Sequence, residues 1–311
     1  MTERSSDSLS ALPVGWRDHG RMLVATLLIA TSFPVVAAIA DGLDSLVLTF
    51  LRFLVASLLF LPIAVFRYGL SMPRFSDLGR YAAISACMVG FFWCMFEALV
   101  TTTALNTGAL FAFIPGIAAI VAAVLLKDRL GRKKLIALIL GAVGALWVVF
   151  RGDPERLLGL ELNRGDLIFF AGCICFGFYT PLVKFFHRGE AMPVMTFWTL
   201  ATGALWLSLL SLPTLIAMDW SAIELRVYLG TLYLAVFTTL ITFFLTQFST
   251  MRLGPTRVMA YSYMNPALVL ALTWILGQPP PGLMVLPGVF IVLAATFVLQ
   301  GWLNLPVRKA G

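Results

Sequence analysis

The stretch 101–115, TTTALNTGALFAFIP, decides the fold, because the second half of the chain has a stretch at the corresponding position. This second stretch is 252–266, RLGPTRVMAYSYMNP, and both stretches end on a proline. Pro115 and Pro266 lie 151 residues apart, and from there the two halves run in parallel without a gap to residues 150 and 301. Small and apolar residues face similar ones along this alignment. We interpret the chain as one half-molecule used twice, and we expect its function where the two copies meet.

The composition places the chain in a membrane. Hydrophobic residues make up 60% of the sequence and the mean hydropathy is +0.94, far outside the range of soluble globular domains. Charged residues account for 12% and cluster between long apolar runs. Loop lysines and arginines that fix topology explain the net charge of +7, so no nucleic-acid partner is inferred.

Metal and disulfide chemistry are expected to play no part. All four cysteines lie inside apolar segments, at spacings that match neither a disulfide framework nor a zinc site. The two histidines, His19 and His187, both fall in predicted loops. We therefore expect no metal and no cofactor, and the polar residues 1–20 carry no cleavable signal.

Ten apolar segments are long enough to span a bilayer, which takes about 20 residues. The sequence therefore predicts an all-α membrane protein with ten transmembrane helices. We number the segments 1 to 10 along the chain: 21–40, 45–66, 79–100, 104–126, 134–150, 165–186, 193–217, 223–248, 254–276 and 282–303.

Basic residues predict the orientation of these segments. With the N-terminus in the cytoplasm, 17 of the 22 lysines and arginines fall on the cytoplasmic side, four fall outside, and Arg52 lies within segment 2. A bias of this size predicts that both termini are cytoplasmic.

Five helices per copy is an odd number, so the second copy is expected to enter the membrane inverted relative to the first. The predicted domains are a first repeat at 21–150, an extracellular linker at 151–164 and a second repeat at 165–303, between cytoplasmic tails at 1–20 and 304–311. Inverted repeats place a binding site near the bilayer midplane and allow alternating access.

Four motifs carry a resemblance to a known family. They are TFLRF at 49–53, EALVTTTA at 97–104, Pro115 with KDRL at 127–130 and GAVG at 141–144, and RLGPT at 252–256 leading to Pro266. Together they make the chain resemble the drug/metabolite transporter superfamily, specifically its ten-helix EamA-domain exporters, over essentially 21–303.

The resemblance implies a multi-pass transporter of the inner (plasma) membrane and not an enzyme. Members of the superfamily move amino acids, other small metabolites, nucleotide sugars or cationic drugs. The favoured interpretation is export of amino acids or similar small metabolites; cationic drugs and nucleotide or sugar metabolites are alternatives. A lipid-modifying enzyme needs a cluster of His, Asp or Glu near an interface, and a channel needs a polar stripe; the sequence shows neither.

Segments 3 and 8 offer aligned aromatic and polar residues. At an offset of 150, Trp93 faces Phe243 and Glu97 faces Gln247, and each pair is spaced i, i+4 on one helix face. An aromatic wall with a polar group beside it suits a small, partly apolar solute. Ordinary packing, or a position in the interfacial aromatic belt, is the alternative.

Arg52 and Glu97 are the ionisable residues expected inside the membrane, where a lone charge costs about 2.5–3.5 kcal/mol or more. Both fall in the outer half of the bilayer and are expected to meet. They form either a structural ion pair or a site for the carboxylate and ammonium of an amino acid. Proton antiport would rest on Glu97, whereas a uniporter needs no such group.

The prolines indicate a central cavity. Proline inside a helix frees a carbonyl, which membranes tolerate beside a cavity or a neighbouring helix. We expect segments 1, 4, 6 and 9 to bend at Pro34, Pro115, Pro181 and Pro266; simple curvature is the alternative. The predicted lining adds the following residues to those of segments 2, 3 and 8: Thr107, Phe111, Tyr179, Tyr261 and Asn265.

Small residues in segments 5 and 10 predict close helix packing. Gly141, Gly144 and Gly288 allow neighbouring backbones to approach. We therefore expect these two segments to support the cavity walls or to form a homodimer face. The other expected partners are membrane lipid, the small-molecule substrate, and protons if transport is coupled to them.

Overall fold

The computed structural model describes residues 15–159, 162–280 and 282–302. The predicted tail 304–311 and all but the last few residues of the tail 1–20 lie outside the described residues. Within them the chain forms helices and connecting turns, with no strand. The helices are α1 (Trp16–Ile39), α2 (Ser45–Tyr68), α3 (Phe75–Leu99), α4 (Ala104–Phe111), α5 (Ile114–Leu125), α6 (Arg132–Val149), α7 (Pro154–Leu158), α8 (Arg164–Phe186), α9 (Met192–Ala217), α10 (Leu225–Ala235), α11 (Ile241–Leu253), α12 (Pro255–Ala260), α13 (Asn265–Ile275) and α14 (Leu286–Gln300).

Nine stretches of the described residues are long and apolar enough to cross a membrane, so the chain is a multi-pass membrane protein. They correspond to every predicted segment except segment 5. That segment folds as the 18-residue helix α6, whose first turn carries the three basic residues 132–134. Because the helix has only 18 residues, a membrane-spanning length of it includes all three charges, which is not the case for the other nine stretches.

The helix breaks occur at the aligned prolines. Segment 4 divides into α4 and α5, and Pro115 is the second residue of α5. Segment 9 divides into α12, a 3₁₀ turn at Tyr261–Met264, and α13, whose second residue is Pro266. A proline in the first turn of a helix loses no hydrogen bond, because the N–H there has no partner within the helix. In contrast, Pro34 and Pro181 lie inside the unbroken helices α1 and α8.

The main helix packings occur in pairs with exchanged roles. Helix α3 packs along α8, as α10 and α11 pack along α1. Helix α5 packs against α8, as α13 packs against α1. Two further packings join corresponding helices directly: α2 lies on α9, and α6 lies on α14. The two halves are therefore built in the same way and interlock.

This correspondence fails at the two ends of the bundle. At the end that carries the basic loop 126–131 and Arg252, α5 packs against α12, and α8 packs against both α11 and α12. We call this the basic end. The counterpart packings, of α4 on α13 and of α1 on α3 and α4, are not formed to a comparable extent in the described part of the chain. The bundle is therefore closed at the basic end and open at the opposite end.

Helices α6 and α14 approach closely, as the glycines predict. A Cβ atom on Gly288 would lie 2.9 Å from the carbonyl oxygen of Gly144, and a Cβ on Gly141 would lie 2.5 Å from the Tyr263 ring. Tyr263 donates a hydrogen bond from its hydroxyl to the Leu138 carbonyl, at 2.9 Å. A Cβ atom at either position would force the neighbouring backbone or ring to move.

Candidate functional site

Arg52 belongs to α2 and lies in the interior of the bundle, next to α3 and the π-helix Val236–Leu240 that joins α10 to α11. It is 8% exposed. Its Nε donates to the Thr239 hydroxyl and its Nη2 to the Thr238 hydroxyl, each at 3.2 Å. The guanidinium carbon is 5.7 Å from the centroid of the Phe92 ring. Single π turns often mark functional sites, and this one supplies both hydroxyls.

The predicted ion pair between Arg52 and Glu97 is not formed. No carboxylate of the described residues lies within 4.0 Å of the Arg52 nitrogens, and the Glu97 side chain is exposed near the end of α3. Nη1 of Arg52 makes no hydrogen bond to the described residues. The arginine is thus a buried cation with donor capacity to spare.

Trp93 and Glu97 lie on a different face of α3 from the one that meets Arg52. Trp93 is 45% exposed. It belongs to a stripe of exposed residues spaced seven apart along the whole helix, with Gly79, Ala86 and Val100. The helices pack together at the closed basic end, so a residue that is exposed there lies on the outside of the bundle. The stripe is exposed at that end as well, and it therefore faces away from the bundle. The structure therefore does not bring Trp93 or Glu97 to the buried site.

The predicted residues of α8 and α11 are brought together. Tyr179 and Phe243 have ring centroids 5.9 Å apart, and Phe243 packs edge-on against Phe53, the neighbour of Arg52, at 5.2 Å. Gln247 is fully buried and accepts a hydrogen bond from the Thr196 hydroxyl at 2.7 Å. Its amide also interacts with the hydroxyl of Tyr179. Gln247 is therefore a second polar group in the interior, next to the aromatic pair.

Phenylalanine rings from three helices continue this cluster towards the open end. Phe92 and Phe96 of α3 stack at 6.4 Å, and Phe91 links Phe92 to Phe176 of α8 at 5.5 and 4.8 Å. Phe111 of α4 lies 6.1 Å from Phe176. All of these rings except that of Phe91 are partly exposed. Of this aromatic wall the sequence predicted only Phe111, one turn after the half-buried Thr107.

Tyr261 and Asn265 make no hydrogen bond to Arg52 in the described part of the chain. The Tyr261 hydroxyl is 2.8 Å from Nδ1 of His19, which joins the 3₁₀ turn to α1 at the basic end. The prediction of a loop at His19 is wrong, because this residue is buried in the first turn of α1. Asn265 is buried, and its Oδ1 has no hydrogen-bond partner among the described residues.

Two arginines fasten corresponding helices at opposite ends. Arg80, in the first turns of α3, donates to the Phe186 carbonyl at the end of α8 and lies 3.8 Å from the Glu190 carboxylate. Arg226, in the first turn of α10, donates to the Ala38 carbonyl near the end of α1 at 3.1 Å and lies 3.7 Å from Asp41. The same connection is thus made once at each end of the bundle.

Two aspartates also connect helices, each from the N-terminal turn of its own helix. Asp18 opens α1 and forms a 3.0 Å ion pair with Arg252 of α11, and both side chains are less than a tenth exposed. Asp166 opens α8 and accepts hydrogen bonds from Thr102 and, at 2.8 Å, from Asn106. Each carboxylate is the third residue of its helix, where it also favours the helix dipole.

His187 is the titratable group of note outside the membrane-spanning helices. It follows α8, and its Nδ1 lies 3.7 Å from the Glu190 carboxylate. Burial lowers the pKa of His187 below its ordinary value, Arg80 acts in the same direction, and Glu190 opposes them. The neutral imidazole is therefore the form that the fold favours.

A separate concavity of about 740 Å³ lies between α1, α10 and α13 and is mostly apolar. Pro34 and Tyr233 line it, together with residues of α13. It contains none of the groups that contact Arg52. Pro34 therefore borders this groove, whereas Pro181 is buried inside α8.

Comparison with known proteins identifies the class as a membrane transporter. The EamA-like transporter family profile matches residues 21–150 and 163–300, and the chain belongs to this family. An uncharacterized transporter of Bacillus subtilis (strain 168), YyaM, is 24% identical over 261 residues, which span 82% of this chain and 84% of that protein. A crystal structure of a protein with 18% identity shares the fold, with a TM-score of 0.75 over 91% of this chain and 96% of that chain. The predicted family resemblance is confirmed, and membership favours transport over catalysis.

Proposed function

We propose that the chain is a secondary transporter of the inner (plasma) membrane that exports amino acids or similar small metabolites bearing a carboxylate. The observation that carries this proposal is Arg52, a buried cation with no carboxylate of the described residues within 4.0 Å. An uncompensated charge inside a membrane protein is costly, so such a residue indicates a binding site for a ligand of opposite charge. The planar fork of a guanidinium matches the geometry of a carboxylate.

Alternating access between two inverted repeats is the mechanism we infer. The exchanged packings of the two halves support the duplication, and five helices per repeat, with α6 as a membrane helix, make the second repeat inverted. The distribution of basic residues supports a cytoplasmic position for both termini. The described state then opens outward, and packing α4 on α13 and α1 on α3 would close that end while the basic end opens.

The alternative of cationic drugs loses support from the same residue. A cation that entered beside Arg52 would meet a like charge in a medium of low dielectric constant, which disfavours both. Glu97, which would have offered a carboxylate, is exposed and does not reach the guanidinium.

Counterflow of radiolabelled amino acids into proteoliposomes tests the proposal. We expect Arg52→Gln to raise KM about ten- to hundredfold, because hydrogen bonds to a charged group contribute about 1.5–3 kcal/mol. Arg67→Gln is the matched control, since Arg67 lies exposed at the other end of the same helix. Glu97→Gln is expected to retain transport. Counterflow that is unchanged by Arg52→Gln would remove Arg52 from the proposal.

A further inference from the structure

We propose that the Arg52 site prefers organic acids that have an aromatic or apolar body and no ammonium group over amino acids. This inference rests on the proposed function and narrows its substrate class. It comes from two features of the site: the charges that surround Arg52, and the side chains that continue from it towards the open end.

The described part of the chain provides no anion for an ammonium group next to Arg52. Its aspartates and glutamates lie in connecting loops or among the first or last three residues of a helix. Glu97 is the third residue from the end of α3, is exposed, and lies more than 4.0 Å from the Arg52 nitrogens. An amino acid bound through its carboxylate would therefore carry its ammonium into the interior without a counter-charge, beside an arginine.

The free donor of Arg52 is available to a carboxylate. Two of the guanidinium N–H groups are used by Thr238 and Thr239, which hold the side chain in place. Nη1 makes no hydrogen bond to the described residues. A ligand carboxylate therefore meets a preoriented donor, and no protein anion has to be displaced to bind it.

The surroundings of this donor are aromatic. Phe92 lies against the guanidinium and stacks with Phe96, and through Phe91 it connects to Phe176 and Phe111. The exposed faces of these rings suit an apolar body of the ligand, because ring-to-ring packing adds to the area that is removed from water. The site thus combines one cationic donor with an apolar wall.

Three related probes test the preference: 3-phenylpropanoate, phenylalanine and 2-phenylethylamine. They share a phenylethyl body and carry a carboxylate, a carboxylate with an ammonium group, and an ammonium group, respectively. Calorimetric titration of the full chain in detergent is expected to give a Kd for 3-phenylpropanoate at least about tenfold below that for phenylalanine, and no binding of the amine. Arg52→Lys is expected to keep this order with weaker binding, Arg52→Gln to abolish it, and Arg67→Gln to leave it unchanged. Arg52→Lys keeps the charge, so it remains informative if the neutral variant does not fold.

Several outcomes would overturn the inference. Phenylalanine binding as tightly as the acid would show that an ammonium finds a partner, and so would binding of the amine. Absence of binding by all three probes would remove the aromatic acid class. Counterflow distinguishes this inference from the proposed function. Transport of phenylalanine but not of 3-phenylpropanoate would refute only the inference. Binding of 3-phenylpropanoate without any counterflow would refute only the transport function.

Discussion

Replacing Asp18 by asparagine is expected to destabilise the chain by about 3–5 kcal/mol. The Asp18 carboxylate joins Arg252 at 3.0 Å and Arg21 at 2.8 Å, and the Asp18 and Arg252 side chains are 4% and 8% exposed. Breaking a buried ion pair by removing one partner costs about this much, because Arg252 then loses the Asp18 carboxylate inside the protein. For a chain of this size, the loss corresponds to a fall in Tm of roughly 10 °C.

Thermal unfolding in detergent, followed by intrinsic fluorescence, measures the effect of Asp18→Asn. The chain offers two matched controls. Asp128→Asn breaks a 3.4 Å pair with Lys134 in which both side chains are exposed by a third or more, so a loss below about 1 kcal/mol is expected. Asp166→Asn removes a carboxylate bound only by neutral groups of the described residues, and an intermediate loss is expected. If Asp18→Asn costs no more than Asp128→Asn, the reasoning about the buried pair is refuted.

Two further predictions concern packing and pH. Gly141→Ala should destabilise the chain by about 1–3 kcal/mol in the same assay, because the new methyl group collides with the Tyr263 ring. Gly116→Ala, where no atom lies within 4 Å, should instead stabilise α5 by about 0.5–1 kcal/mol, and a loss equal to that at Gly141 would contradict the packing argument. The lowered pKa of His187 means that the fold favours its neutral form, so its contribution to stability is complete above pH 6.5 and is lost as the pH falls towards the folded pKa. Tm measured from pH 8 to 5 should therefore fall less for His187→Gln, and identical profiles would contradict this assignment.

Much of the fold follows from hydropathy and proline placement. Apolar runs locate the membrane helices to within a few residues, because a bilayer demands a minimum length of apolar chain. Pro115 and Pro266 coincide with the breaks in segments 4 and 9, where each begins a new helix in its first turn and loses no hydrogen bond. Pro34 and Pro181 were expected to bend their helices in the same way, yet α1 and α8 continue through them unbroken. The sequence predicts less well which face of each helix turns inward, because apolar residues cover both faces of a membrane helix.

The positions of Trp93 and Glu97 show this limit. They were aligned with Phe243 and Gln247 at an offset of 150, whereas the prolines align at 151. At 151, Phe243 corresponds to Phe92, which does contact Arg52. A shift of one residue rotates a helix face by about 100°. The π-helix before α11 contributes one additional residue to that helix, and nothing in the sequence marks it.

The partners of Arg52 were equally hidden from the sequence. Pairing it with Glu97 follows from charge alone, since an intramembrane arginine is expected to meet the nearest carboxylate. The structure gives it two threonine hydroxyls from a helix that is 186 residues away along the chain. Threonines in apolar segments carry no distinguishing signal, because most of them bond to their own helix backbone.

The two arginine fastenings differ in how they meet the surrounding electrolyte. The Arg80 side chain is 8% exposed, whereas that of Arg226, at the open end, is 51% exposed. Rising salt weakens ion pairs between exposed charges, and it affects buried pairs far less. Salt on the Arg226 side therefore loosens one fastening and leaves its counterpart intact. A duplicated architecture with the same contacts at both ends thereby acquires a directional sensitivity to its ionic environment.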